Sequence, residues 1–208
     1  MLGKRGVRLG ILLPELYKMQ VKAIIKASIS VYGKNQKEFP PEIMLPMVSS
    51  FKEVNLLKKL IDDVVAEITK EFNFPINYKL GVMVETPRAA LKAGELAVIS
   101  SFLSFGTNDL TQMTYGLSRD DSGTFMRDYL EKGIFPVDPF RSLDLDGVGE
   151  LLKIASKKSR AANPSIKIGI CGEHGGDPES IDFCKKIGLD FVSCSPFRVP
   201  IARIAAAQ

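Results

Sequence analysis

Short apolar runs alternate with amphipathic segments along most of these 208 residues, and this alternation limits the fold more than any other feature. "RLGILL" (residues 8–13), "EIMLPMV", "YKLGVMVE", "SFLSFG", "SIKIGICG" and "LDFVSCS" each have the length and apolar content of a strand. Pro46 marks where the second run stops. Between the runs lie helical patterns. "PELYKMQVKAIIKASISVYG" places Leu16, Met19, Ala23, Ile24 and Ala27 at helical spacing. "SFKEVNLLKKLIDDVVAEITKEF" opens on a Ser cap and puts Val54, Leu57, Ile61, Val64, Val65 and Ile68 on one face. Pro87 opens a small-residue helix, "RAALKAGELA", and "DLTQMTYG" reads as another. "LDGVGELLKIASKKSRAA", "PESIDFCKKIG" and "PFRVPIARIAAA" complete the helical set. Residues 117–143, rich in Asp, Gly and Pro, read as an excursion.

Strands that alternate with helices imply a parallel sheet with crossover connections. The runs are apolar throughout, as expected when both sheet faces are covered. A doubly wound sheet and a (β/α)8 barrel both fit, and six units are two short of a closed barrel.

The totals exclude several classes. An apolar fraction of 45% and a charged fraction of 25% are those of an ordinary globular chain. The net charge of +4, without a basic block, does not point to nucleic acid. No run approaches the length of a membrane span, and "MLGKRGVRLG" is no secretory signal. Three cysteines, Cys171, Cys184 and Cys194, fit a reducing compartment rather than a disulfide scaffold. A single histidine, His174, rules out a His-rich zinc site built by this chain alone.

In either architecture the chemistry gathers where strands end. Glu85 follows one strand, and Gly106, Thr107, Asn108 and Asp109 follow the next. Neighbouring strands run roughly 4.8 Å apart, so two carboxylates at matching strand ends can hold one cation. Oxygen ligands without histidine favour Mg²⁺, which keeps waters and takes substrate oxygens as its other ligands. Taken singly, Glu85 could instead be satisfied by Arg88, and Asp109 could cap the following helix. As a pair, they favour a metal. Cys171 ends a strand before a glycine-rich loop, where its thiol could donate a proton or pack as a small hydrophobe. His174 stands three residues on, but a glycine loop does not guarantee a Cys–His dyad. Cys184 reads as core, and Cys194 as structural. Arg5 and Arg8 suit a phosphate or carboxylate if an anionic ligand is present.

"MLGKRGVRLG", "PEIMLPMV", "GVMVETPRAAL", "FLSFGTNDLTQMTYGLSRDD" and the stretch from "IGICGEHGG" to "PIARIAAAQ" resemble the C-terminal phosphoenolpyruvate/pyruvate-binding domain of the pyruvate, phosphate dikinases. These belong to the phosphoenolpyruvate-utilising enzymes. Phosphoenolpyruvate synthases and the sugar-phosphotransferase-system enzyme I share the strand-end Glu and "GTNDL"; "CGEHGG" and "SCSPFRVPIARIAAAQ" are closer to the dikinases. The resemblance implies a (β/α)8 TIM-type barrel, cut to about six units here, with residues 1–208 as one domain. It implies that two β/α units and a substrate-binding arginine precede this chain. The ATP-binding and phosphohistidine domains also lie outside it.

Carried over by position, Cys171 is the general acid/base at the substrate methyl carbon. Glu85 and Asp109 bind Mg²⁺ and border the substrate, Arg5 holds the phosphoryl group, and Gly106, Thr107 and Asn108 line the pocket. Lys4 departs from the residue relatives often carry, but Arg5 is kept. The implied reaction passes a phosphoryl group between a phosphohistidine and the enolate of pyruvate. Overall, ATP, pyruvate and phosphate become AMP, phosphoenolpyruvate and diphosphate. The implied partners are the substrate, the phosphohistidine domain of the same protein and a second copy forming a homodimer. The implied compartment is the cytoplasm, or an organelle where the parent carries a transit peptide. The competing readings are an inactive structural or dimerisation fragment and a Mg²⁺-dependent aldolase or lyase acting on a pyruvate enolate.

Overall fold

The computed structural model describes residues 2–208. Five strands form one sheet in the order β1-β2-β3-β4-β5, every neighbouring pair parallel. They are β1 (Glu42–Leu45), β2 (Lys79–Val84), β3 (Phe102–Gly106), β4 (Lys167–Cys171) and β5 (Phe191–Val192). The run expected as a first strand is instead α1 (Val7–Leu12). Its inward residues Val7, Gly10 and Ile11 fall at i, i+3 and i+4, a helical period that a six-residue apolar run disguises. The sheet therefore has five strands rather than six.

α2 (Pro14–Tyr32) corrects a second expectation. Its buried side is Val21, Ile25 and Ile29, whereas Met19 is 58% and Ile24 41% exposed. Both sides of this helix are apolar, so periodicity could not choose between them. Lys22 and Lys26 pair with Glu67 and Glu71 at 3.0 and 2.7 Å, tying α2 to α3 (Phe51–Phe72). α3 buries the six residues expected on its face, and Leu60 as well. It starts on a capping box: Ser50 accepts the Glu53 N–H and Glu53 accepts the Ser50 N–H. Such a cap is worth about 1 kcal/mol.

The helix after Pro87 breaks at Lys92 into α4 (Pro87–Leu91) and α5 (Ala93–Ile99). α6 (Thr107–Tyr115) begins two residues before the expected start. The excursion contains a short helix, α7 (Met126–Glu131). α8 (Val148–Ala162), α9 (Pro178–Lys186) and α10 (Val199–Ala207) follow the sequence pattern.

The register separates two kinds of sheet face. Leu45, Val82, Leu103 and Ile168 stand side by side, as do Val84, Phe105, Ile170 and Val192. These rows belong to the core that the helices share. The other face carries Met44, Gly81, Phe102 and Lys167, then Met83, Ser104, Gly169 and Phe191. Met44 is 37% exposed, and Met83 and Phe191 are only partly buried. Successive parallel strands in sequential order, joined by right-handed crossovers, put every helix on one side. A doubly wound sheet needs a reversal of strand order, and this sheet has none. The architecture is an α/β fold consistent with part of a (β/α) barrel. It places the C-terminal ends of β2, β3 and β4 next to one another.

Candidate functional site

The site is built on one rung of the sheet. Gly106 at the end of β3 stands opposite Cys171 at the end of β4. Val84 stands opposite Phe105, so Glu85, one residue on, reaches the level of Gly106. A side-chain carbon on Gly106 would lie 2.7 Å from Glu85 Oε2 and 2.8 Å from Glu85 Cβ. Only glycine leaves room for the carboxylate to lie across the neighbouring strand. The sequence-derived residues Glu85, Gly106 and Cys171 thus come together.

Glu85 is 8% exposed, and its Oε1 accepts the Met47 N–H at 2.5 Å. It is not satisfied by Arg88, whose guanidinium donates to Ser49 O. Burial pushes the Glu85 carboxyl up to about 7; the Met47 N–H opposes this, Asp109 adds to it and Arg5 opposes it. Met47 was not legible as a site residue. It acts through its backbone, with a left-handed φ of 56° that is uncommon outside glycine. The turn preceding α1 packs on this strand exit: Val7 N–H donates to Pro46 O at 3.0 Å and Tyr17 O–H to Gly6 O at 2.8 Å. Arg5 is carried there, exposed, with its charge acting on Glu85. Arg8 is turned back onto Gly3 O at 2.9 Å.

Asp109 is the third residue of α6, with Gly106 at the N-cap position, so it does not cap the helix. Its Oδ1 accepts from Gln112 Nε2 at 2.9 Å, and its charge acts on Glu85. Among the described residues, no group of three or more His, Cys, Asp and Glu could hold a metal. Glu85 and Asp109, the two carboxylates expected at these strand ends, interact through their charges. Burial holds the Glu85 carboxyl above the ordinary range, and the charge of Asp109 adds to that rise. This fits a hard divalent cation that takes its other ligands from water and substrate.

Cys171 Sγ lies 3.4 Å from Phe105 O and 3.5 Å from Met83 Sδ. Burial raises its pKa, the Ser104 hydroxyl works against that rise and Glu85 adds to it. The thiol is thus held in its protonated form at neutral pH. His174 does not pair with it. The imidazole is fully buried, with Nδ1 2.7 Å from Thr107 Oγ1 and Nε2 2.9 Å from Pro139 O. Thr107 Oγ1 donates to Cys171 O at 2.9 Å, and Asn108 Oδ1 accepts the Glu173 N–H at 3.2 Å. Thr107 and Asn108 therefore brace the turn after Cys171.

Cys171, Gly172, Glu173, Ser193, Cys194 and Arg198 are among the residues lining a hollow of about 320 Å³. A larger one, about 570 Å³, lies among α9, β5 and α10 and includes Cys184 and Cys194. None of Glu85, Asp109 and Cys171 lines that larger space, so its size does not mark the chemistry. All three cysteines are free thiols.

A family described as "PEP-utilising enzyme, PEP-binding domain" matches residues 1–208. The chain is 55% identical over 208 residues to the chloroplastic pyruvate, phosphate dikinase of Mesembryanthemum crystallinum. It is 51% identical to the pyruvate, phosphate dikinase of Clostridium symbiosum and 52% identical to that of Rhizobium meliloti (strain 1021). These alignments take in 100% of this chain but 22%, 24% and 23% of the respective relatives. The chain thus spans less than a quarter of the length of these relatives.

Proposed function

Because the chain belongs to the PEP-utilising enzymes and matches their PEP-binding domain over its whole length, we propose that it forms the pyruvate/phosphoenolpyruvate site of a pyruvate, phosphate dikinase. The observation that supports this reading is the rung Glu85–Gly106–Cys171, which brings a half-buried thiol to the same sheet edge as a buried carboxyl.

Each residue has a task in this chemistry. Glu85 and Asp109 hold Mg²⁺. When bound, the ion supplies positive charge where the enolate oxygen develops. Arg5 receives the phosphoryl group, since a guanidinium fork suits its oxygens. Gly106, Thr107 and Asn108 border the substrate, with Gly106 making room for the Glu85 carboxylate that faces it. Cys171 moves the proton. In the direction of pyruvate its S–H bond breaks and a C–H bond forms at the enolate carbon. In reverse the thiolate takes a methyl proton, and the electron pair passes to the enolate oxygen, which then accepts the phosphoryl group.

Residues 1–208 are read as the C-terminal part of a closed (β/α)8 barrel. The support is the partly uncovered face of the sheet and its two free edges, which further strands of a longer chain would cover. ATP binding and the phosphohistidine then lie on other domains of the same protein. Exposed Leu12, Met19 and Val31 along α1 and α2 support a homodimer. No helix among the described residues is long and apolar enough to cross a membrane. With three free thiols, this suits the cytoplasm or the interior of an organelle.

The full-length protein is expected to form AMP, phosphoenolpyruvate and diphosphate from ATP, pyruvate and phosphate in the presence of Mg²⁺, as read by phosphorus NMR. Failure to form phosphoenolpyruvate, with aldol cleavage in its place, would refute this function.

A further inference from the structure

His174 has no part in the chemistry above, yet its side chain is 0% exposed and both its ring nitrogens are engaged. A carbonyl oxygen only accepts, so the contact between Nε2 and Pro139 O places the ring proton on Nε2. Nδ1 of the neutral ring is then an acceptor facing the Thr107 hydroxyl. That hydroxyl also faces Cys171 O, so it has one proton for two acceptors. The imidazole and the Cys171 carbonyl therefore share a single donor. Three segments distant in sequence meet here: the excursion at Pro139, the start of α6 at Thr107 and the turn after Cys171. The turn has little slack. Gly172 sits at φ 93°, and a side-chain carbon there would lie 2.9 Å from Asn108 Oδ1.

We propose that His174 is a positioning residue that acts through Thr107 to fix the turn carrying Cys171, and so sets where the thiol stands relative to the substrate methyl carbon. The ring and the Cys171 carbonyl draw on the one Thr107 proton, so the ring sets how firmly Thr107 holds that carbonyl. Without the imidazole, Pro139 O loses its interior donor and the Thr107 hydroxyl donates to Cys171 O alone. The turn then settles elsewhere, while Glu85 after β2 and Asp109 on α6 stay in place. Misplacing a reacting group by about 1 Å costs far more in rate than in binding. The proposal rests on the reading of Cys171 as the acid/base.

The test is exchange of pyruvate methyl protons with solvent by the full-length protein with Mg²⁺. His174→Leu removes both ring contacts and is expected to lower the maximal exchange rate about tenfold or more. KM for pyruvate should stay within about threefold, since Arg5, Glu85 and Asp109 are untouched. His174→Gln offers an N–H to Pro139 O and an oxygen to Thr107, and should return the rate to within about threefold of the parent. Thr107→Val should reproduce the loss of rate. That variant and His174→Gln decide the matter if His174→Leu does not fold. Where Cys171→Ala abolishes exchange, the proposal is overturned if His174→Leu or Thr107→Val exchanges at the parent rate, or if His174→Gln is as slow as His174→Leu.

Alkylation of Cys171 by iodoacetamide, followed on its own peptide by mass spectrometry, separates this proposal from the reading beneath it. If Cys171→Ala keeps full exchange while Thr107→Val and His174→Gln still alter the alkylation rate in opposite measure, large and small, the acid/base reading fails and positioning stands. An alkylation rate unchanged in Thr107→Val overturns positioning itself.

Discussion

Replacing Cys171 with alanine in the full-length protein is expected to slow exchange of pyruvate methyl protons about a thousandfold, the usual worth of a positioned acid/base. The substitution removes one sulfur from a half-buried position and leaves the backbone of β4 as it is. The fold and Mg²⁺ binding should therefore survive, so the loss reports the proton-transferring group. Burial holds the thiol protonated, the form that returns a proton to the enolate carbon; removal of the methyl proton needs the thiolate, so exchange should quicken as pH rises above neutrality. Proton NMR of pyruvate in deuterated solvent reads the rate. Exchange that continues undiminished in Cys171→Ala would remove Cys171 from the chemistry.

Replacing Glu85 with glutamine should have two opposite effects. It should abolish Mg²⁺-dependent ligand binding, because an amide cannot supply the missing negative charge. It should also stabilise the fold at alkaline pH. The Glu85 carboxyl is raised from 4.5 to about 7 by burial. Between those values the folded protein keeps a proton that the unfolded chain has released. Stability therefore falls as pH rises from about 4.5 to 7 and stays reduced above that range. At about 1.4 kcal/mol per pH unit, the cost at pH 8 is about 3 kcal/mol. Glutamine avoids this cost while still accepting the Met47 N–H. Thermal melts without Mg²⁺ should place Glu85→Gln above the parent at pH 8 and level with it near pH 4.5. An equal melting temperature at pH 8 would show that burial does not raise the Glu85 carboxyl.

These two side chains were legible in the sequence because topology does the work. Parallel strands of a β/α chain bring their ends together, so a residue that follows a strand is already assigned to one edge. That rule picks out Glu85, Gly106, Asp109 and Cys171 without knowledge of any contact. α3 was legible for a different reason, since a Ser cap and a long one-sided apolar pattern agree with each other. α1 was not, because a six-residue, mostly apolar run suits a strand or a helix and the deciding contact is the turn onto Pro46. The buried side of α2 was hidden because its two faces are equally apolar, and only its ion pairs with α3 identify the inner one. Met47 was hidden because a backbone N–H carries no side-chain signature. The partners of His174 were hidden because Thr107 and Pro139 are 67 and 35 residues away in sequence. Sequence proximity to Cys171 was no guarantee of a dyad, and packing turns the ring to Thr107 and Pro139 instead.

The central claim is that Glu85 and Asp109 hold a divalent cation against an enolate-shaped ligand at the ends of β2 and β3. Oxalate has the planar shape and adjacent oxygens of the pyruvate enolate, so its calorimetric titration into the full-length protein tests that claim most directly. With Mg²⁺ present, oxalate should bind; without Mg²⁺, or in Glu85→Gln and Asp109→Asn, the heat of binding should vanish. Oxalate binding of equal strength without Mg²⁺, or unchanged in both variants, would contradict the account.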